Sequence, residues 1–395
     1  MKMIFIKEKD RHLGYFITTI GSGLGWITIF GGYFASDFWV AEAYPFLSMY
    51  TNPHFSIGLA LMILAIIPGK KIPIYRDILL GAAIALVQPF GVVIVFVVRG
   101  AFEVVKIIEK QFSLKNWVSS DRFYSLLAFG IGGGSILVYQ YVSILTDPVL
   151  SAWNQQNITT SPEIFDLIIS FAPCLILAGF GIKAAWQNEE GKFLVIWAAA
   201  SLMLIYFPWN LQRRFLTGIY IPLAALSVFG LNSLGKRFGS VSRWGTIILA
   251  GLVLPTNCII LFSGIRAASI QDPNIYISDG IINGLNWIEK NSEKDALILT
   301  DEETGLFIPS FTGRRVIYGH PFETINADDE LFLVESFFDG SLDPEEYSKI
   351  LAGRNVGYIF LRRPAVQQLS EWIRQNELVP VFDYQDYKIY AVGRK

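Results

Sequence analysis

The chain has little charge and almost no sulfur chemistry. Only 17% of its 395 residues are Asp, Glu, Lys or Arg, against 52% hydrophobic; that balance excludes an ordinary soluble domain. Its two cysteines, Cys174 and Cys258, each sit inside an apolar run, where small buried hydrophobes belong, so neither a disulfide nor a cysteine metal site is expected. The net charge of -2, with basic residues scattered between apolar runs, leaves no footprint for nucleic acid. No cleavable signal peptide is expected either: residues 1–11 are charged, and the glycine-rich run after them has no small-x-small cleavage site. That first run is therefore expected to be an anchor.

What is present is a succession of apolar runs, at 13–34, 55–68, 123–145, 164–182, 193–207, 216–231 and 244–265. Roughly 20 residues cross about 30 Å of hydrocarbon, and shorter spans occur. An eighth run, 77–98, contains Gln88-Pro89 at its middle. Proline removes a helix hydrogen bond and pushes the residue before it out of the α region, so this run is either one kinked helix or two. Lys70, Lys71 and Arg76 before it, and Arg99, Lys106, Lys110, Lys115 and Arg122 after it, make both flanks look cytoplasmic, which favours two short helices meeting near Pro89. The expected fold is thus an α-helical polytopic membrane protein with about nine spans and a cytoplasmic N-terminus. Lys2, Lys7, Lys9 and Arg11, then Lys183 and Lys192, then Lys236, Arg237 and Arg243 fall on the inner side.

The outer segments, 35–54, the Pro89 corner and 146–163, contain no lysine or arginine. The exception is the connection Phe207-Pro208-Trp209-Asn210-Leu211-Gln212-Arg213-Arg214-Phe215. A guanidinium in hydrocarbon costs on the order of several kcal/mol, so arginines at this depth snorkel, pair or bind something. Arg213 and Arg214 are read as a phosphate clamp, because a guanidinium fork meets phosphate oxygens in two parallel bonds. The plainer alternative is unspecific snorkelling to lipid headgroups, or a pair with a carboxylate such as Asp37 or Glu42.

From residue 266 the long apolar runs stop, and a soluble, extracytoplasmic α/β domain is expected over 266–395, after a transmembrane domain over 1–265. Helices are expected at 281–290, 329–338, 344–352 and 365–376, and strands at 296–300, 315–318, 356–361, 379–384 and 388–392, in a three-layer arrangement. An odd number of spans places this domain outside.

Three groups of residues invite a chemical reading. Asp37 and Glu42, in the first outer connection among Trp39, Tyr44, Tyr50 and His54, offer a general base or a metal ligand, against the plainer reading of a solvated loop with an aromatic belt. His320 and Glu323, at the end of an expected strand, sit where open α/β sheets bind ligands, although a loop histidine and a helix-start acid are the plainer and favoured reading. Asp301-Glu302-Glu303 is similarly placed, or is a solvated helix N-terminus. Gly21-Ser22-Gly23-Leu24-Gly25 is no phosphate loop, since it lies inside an apolar run; Gly21 and Gly25, like Gly132-Gly133-Gly134, are expected to let helices approach closely.

The order of these features resembles the GT-C superfamily of membrane glycosyltransferases, of the bacterial protein mannosyltransferase-like (family 39-like) kind. Asp37-Phe38-Trp39, Asn52-Pro53-His54-Phe55, Pro208 to Phe215 and Tyr318-Gly319-His320-Pro321-Phe322-Glu323-Thr324 carry the resemblance. It implies transfer of a sugar from a polyprenyl-phosphate donor to an acceptor on the outer membrane face, with an essential acid just after the first span, Asp37 or Glu42 here, and with Arg213 and Arg214 on the donor phosphate. The membrane lipid as partner and an acceptor of unspecified nature belong to the same expectation, and the cofactor is left open, with a divalent metal as one option. Members of this kind carry an Asp-Glu loop near the N-terminus that is missing before the first run here. The expectation is therefore an N-terminally shortened chain or an inactive relative, unless Asp37 or Glu42 serves. A non-catalytic scaffold with an outer recognition domain is the alternative, and a transporter a third, although no internal repeat is visible.

Overall fold

The computed structural model describes residues 1, 4–5, 7–66, 73–109, 113–238, 241–273, 275–362 and 365–392. Lys2, Lys70, Lys71 and Lys110 of the expected inner basic set, and Pro68 at the end of the second run, lie outside them. The chain divides into two compact units, Met1–Leu145 with Ile158–Ser263, and Thr146–Asn157 with Gly264–Lys395.

Glycine and proline decide where the helices of the first unit start and stop. They are α1 (Glu8–Ile20), α2 (Gly25–Thr28), α3 (Pro45–Thr51), α4 (Pro53–Ile66), α5 (Ile74–Val87), α6 (Pro89–Ile108), α7 (Leu114–Val118) and α8 (Asp121–Thr146). After α9 (Pro148–Gln156), which groups with the second unit, come α10 (Ile164–Phe171), α11 (Cys174–Ala185), α12 (Glu189–Leu204), α13 (Tyr220–Phe238), α14 (Val241–Val253) and α15 (Pro255–Ser269). Pro45, Pro53, Pro89, Pro148 and Pro255 each open a helix, where a missing N–H is no loss. Between α5 and α6, Gln88 is extended (φ -151°), so the run 77–98 is two helices.

Two other runs, expected to be continuous, are broken. The first bends by 43° between Glu8–Ile20 and Gly25–Gly31, and the run at 164–182 turns by 77° between Ile164–Phe171 and Cys174–Ala185. Gly21-Ser22-Gly23 has poor helix propensity and Pro173 cannot donate, which accounts for both sites. Among the described residues, Asp121–Thr146 and Trp244–Ser269 are long and apolar enough to cross a membrane, and four segments qualify if each bent pair is one span. The other apolar runs fall short of that measure for local reasons: α4 has 14 residues, and α6 carries Arg99, Glu103 and Lys106 on its buried face.

The breaks complete one another. Ser22 N donates to Val253 O at 2.8 Å and Leu24 N to Ile169 O at 3.0 Å. Asn257 Nδ2 donates to Ile20 O at 2.9 Å, and Trp26 Nε1 to Leu252 O at 3.2 Å. Backbone groups freed by an interrupted helix must be paired inside the protein where water is scarce, and here each break supplies what another lacks. Close approach makes this feasible. A Cβ on Gly23 would collide with the backbone of Ser170, and one on Gly25 with the Asp37 carboxylate. Gly132 and Gly133 likewise meet Ile78 and Val92, whereas Gly134 meets nothing.

The connections sort to two regions of this unit. Those lacking lysine, together with the arginine-bearing one, are bonded to each other: Gly218 N donates to Glu42 O, Thr159 N to Asn210 O, and Arg213 N to Thr159 O, at 2.9, 2.7 and 3.1 Å. Elsewhere, α6 meets α12 and α8 through ion pairs, Lys106–Glu189 at 2.7 Å, Lys192–Glu109 at 2.5 Å and Arg122–Glu103 at 3.7 Å.

The second unit holds one sheet of five strands in the order β2-β1-β3-β5-β4. The strands are β1 (Leu297–Thr300), β2 (Arg315–Val316), β3 (Tyr358–Arg362), β4 (Pro380–Tyr384) and β5 (Tyr387–Ala391). β1 is parallel to β2 and β3, and β5 is antiparallel to β3 and β4. Side chains alternate between faces along a strand, so adjacent apolar residues serve two cores. Ile298, Phe360 and Ile389 pack with Ile281, Leu285 and Ile288 of α16 (Asp279–Asn291). Leu299, Ile359, Leu361 and Tyr390 pack with α19 (Ala327–Asp339), α20 (Pro344–Gly353) and α21 (Gln367–Gln375) through Phe337, Tyr347 and Trp372. The short α17 (Glu302–Gly305) and α18 (Ile308–Thr312) complete the unit.

Candidate functional site

Glu42 lies in a short 3₁₀ turn, Ala41–Ala43, and is 4% exposed. A carboxylate so enclosed needs cations or donors. It finds two: Arg214 Nη1 is 3.2 Å from its Oε1 and Arg213 Nε is 3.8 Å away. Both arginines come from the 3₁₀ turn Gln212–Leu216. They are also placed against rings, the Arg213 guanidinium 4.9 Å from the centre of Trp39 and that of Arg214 5.9 Å from Phe55. Arg213 Nε is buried and makes no hydrogen bond. Burial pulls the Arg213 guanidinium below its ordinary range, yet an arginine stays charged. The grouping therefore sets two positive charges on one negative. Around it Trp39, Phe207 and Trp209 are exposed.

Asp37 has a different surrounding. It is fully buried, and its Oδ2 accepts from Ser22 Oγ at 3.2 Å, Gly23 N at 3.1 Å, Gly25 N at 3.2 Å and Thr256 Oγ1 at 2.9 Å. The carboxylate thus collects donors released where α1 and α2 part. Its Oδ1 is buried and has no hydrogen-bond partner. In this connection after the first run, burial outweighs the four donors and pushes the Asp37 carboxyl up to about 6. Next to it, Asp166 of α10 accepts from Ser36 N at 2.8 Å and from Ser170 Oγ at 2.7 Å, and Asp37 N donates to Ser170 Oγ at 3.3 Å. Glu42 is therefore brought to the arginines, whereas Asp37 is engaged in the helix break.

Sequence reasoning missed Asp166, Ser170 and Thr256, because the contacts that tie them to Ser36 and Asp37 span more than a hundred residues. Asp166 is an acid inside an apolar run, the one clue that was available. Among the described residues no group of three or more His, Cys, Asp or Glu could hold a metal ion. The described residues thus offer no such ligand set for a divalent ion.

In the second unit, His320 and Glu323 are both exposed on the loop after β2. His320 Nδ1 accepts from Phe322 N at 3.1 Å, and Thr324 Oγ1 accepts from the N–H groups of Gly319 and His320 at 3.2 Å each. Gln156 of α9 closes the same loop from outside, donating to Thr324 O at 2.6 Å and accepting from Asn326 N at 3.1 Å. Asp301 caps α17 through Thr304 N at 2.8 Å, and Glu303 lies 3.8 Å from Arg362 at a half-exposed pair. The contacts of His320, Thr324 and Gln156 build the loop, and that of Asp301 starts a helix.

No protein-family model and no curated protein matches the chain. Three solved structures, all of an archaeal oligosaccharyltransferase from Archaeoglobus fulgidus, are similar at low level. The complex with zinc and sulfate has 13% identity and a TM-score of 0.44 over 78% of this chain and 48% of that one. The complex with an inhibitory peptide and a dolichol-phosphate, where that protein is named AglB, has 12% identity and a TM-score of 0.45 over 90% and 55%. The form tethered to an acceptor peptide has 14% identity and a TM-score of 0.42 over 90% and 55%. The chain spans about half the length of these structures.

Proposed function

We propose that the chain is a multi-pass membrane glycosyltransferase of GT-C type that takes a sugar from a polyprenyl-phosphate donor and passes it to an acceptor on the outer membrane face. In this reading there are about nine spans, the N-terminus is cytoplasmic and the second unit is extracytoplasmic. The observation that carries it is the sharing of one buried carboxylate, Glu42, by Arg213 and Arg214, which leaves one positive charge over and a buried donor unpaired. A phosphate supplies the missing negative charge, and the exposed rings of Trp39, Phe207 and Trp209 suit the chain attached to it.

The same geometry supplies a base. A donor phosphate competes with Glu42 for both guanidinium groups and so releases its carboxylate. The acceptor oxygen then attacks the anomeric carbon, its proton passes to Glu42, and the bond from that carbon to the phosphate oxygen breaks with its electron pair going to the phosphate. Arg213 and Arg214 stabilise the charge that gathers there. Asp37 serves this reading as a structural group, and His320 and Glu323 remain candidates for contact with the acceptor. A second reading, a donor-binding scaffold without catalysis, is favoured by one observation: both first-connection acids already have partners.

The test is binding of a labelled polyprenyl-phosphate sugar in detergent at matched folded amounts. Lysine cannot reproduce the guanidinium fork. Arg213→Lys with Arg214→Lys is expected to stay folded and to bind more weakly by roughly 1–3 kcal/mol, the scale of hydrogen bonds to a charged group. Equal binding by wild type and variant overturns the proposal. Glu42→Asn that binds donor but transfers no sugar supports catalysis by Glu42, whereas a wild type that binds donor and transfers none leaves the scaffold.

A further inference from the structure

The turn that carries the arginines ends at Thr217, and a side chain closes it. Thr217 Oγ1 donates to Arg214 O at 2.7 Å, and the chain then turns through Gly218, whose φ of +72° an L side chain rarely adopts. The same hydroxyl is an acceptor. Gln88 Nε2 donates to it at 3.1 Å, across 129 residues of sequence. Gln88 is the extended residue between α5 and α6, is 5% exposed, and has a carbonyl Oε1 that is buried with no hydrogen bond. Gly58 of α4 makes room for it, since a Cβ there would collide with that Oε1. Two residues on, Phe90 meets Phe215 of the arginine turn edge to face, with ring centres 5.9 Å apart.

A buried amide whose carbonyl oxygen makes no hydrogen bond is costly, and a leucine of similar volume would fill the space without an orphaned oxygen. The hydrogen bond that the amide does make goes to the arginine turn. We infer that Gln88 is a positioning residue for the anion site: through the Thr217 hydroxyl it holds the Arg214 carbonyl, and with it the direction from which both guanidinium groups reach a phosphate. The inference rests on the phosphate-binding reading above. It also gives the helix break at Pro89 a purpose, because a continuous helix would bond its own backbone there and have no reason to aim a side-chain amide at a distant loop.

The test uses the full chain in detergent, undecaprenyl phosphate as the probe, and amide hydrogen exchange over 212–218 as a readout that needs no ligand. Gln88→Leu and Thr217→Val are each expected to weaken binding roughly five- to tenfold, the scale of one hydrogen bond, and to speed exchange in the turn. Thr217→Ser, which keeps the hydroxyl, is expected to behave as wild type. The double variant is expected to be no weaker than either single one, since both cut the same chain of bonds. Wild-type binding by Gln88→Leu and Thr217→Val, with loss in the double arginine-to-lysine variant, overturns the inference and leaves the phosphate reading standing. Wild-type binding by the arginine variant overturns both. Losses that multiply in the double variant also overturn it, because they show two independent contacts. Should Gln88→Leu fail to fold, the contrast between Thr217→Val and Thr217→Ser decides.

Discussion

Around α6 and α12 the cations and acids of the described ion pairs are equal in number: Arg99 with Asp77, Arg122 with Glu103, Lys106 with Glu189, and Lys192 with Glu109 and, at 3.8 Å, with Glu189 as well. At the arginine turn two guanidinium groups divide the single carboxylate of Glu42. Both regions contain a buried carboxylate, Asp77 in one and Glu42 in the other. The difference lies in the balance. A matched set closes on itself and ties helices together, whereas an unmatched one keeps affinity for something else. Charge inside a membrane protein is thus better judged by its sum over a grouping than by any one residue.

The largest effect is expected where the balance is broken by force. Arg99 and Asp77 are 9% and 3% exposed at the side chain and 3.3 Å apart, and Ser125 bonds to both. Arg99→Leu leaves Asp77 buried without a cation and is expected to cost about 3–5 kcal/mol. Arg99→Leu with Asp77→Leu is expected to recover most of it. Thermal unfolding in detergent checks this, and a double variant as unstable as the single one would mean that the pair is more than a tie.

Asp37 sharpens the contrast, as a buried carboxylate with donors but no cation. Its carboxyl is held at about 6, above the ordinary value of 3.8, so the folded chain binds its proton more tightly than the unfolded chain does. Stability from this group is therefore present at pH below about 4 and is lost as pH rises to about 6, by up to about 3 kcal/mol at 1.36 kcal/mol per unit. Asp37→Asn keeps an oxygen for the four donors and is expected to flatten that slope. An unchanged slope in unfolding midpoints between pH 4 and 6.5 would assign it to another group.

The smallest effect is expected from shifting the unmatched grouping further. Glu42→Gln raises its charge from one positive to two, and undecaprenyl phosphate is expected to bind roughly fivefold more tightly at low salt, with a steeper decline as salt is added. Weaker binding would show that Glu42 orders the arginines rather than competing with the ligand.

Much of the second unit was open to inspection in the sequence. Short apolar strands between turn residues and helices with caps such as Asp343 and Glu346 around 344–353 are local signals, and each expected element there has a counterpart within a few residues. The arginine pair was equally visible, because it stands alone among connections without basic residues. Hidden were the features made by distant partners. Asp37 reads as a loop acid, and only the gap between α1 and α2 turns it inward onto Gly23, Gly25 and Thr256. Gln88 reads as a residue before proline, and nothing nearby announces Thr217. The first run reads as continuous because hydropathy is blind to where a helix stops.

The mutual completion of the broken helices bears on how the chain is made. Ser22 N waits for Val253 O, and Leu24 N for Ile169 O. When the first run leaves the ribosome, neither acceptor exists. In the proposed membrane arrangement, backbone groups left open in hydrocarbon cost roughly several kcal/mol each, so the early segment has to stay helical through 21–24 or remain hydrated until the later ones arrive. Its final bend is then a late event in biogenesis, taken up once residues near 257 have been inserted. A nascent chain stalled before Leu252 would hold its N-terminal portion in a shape the finished protein does not use.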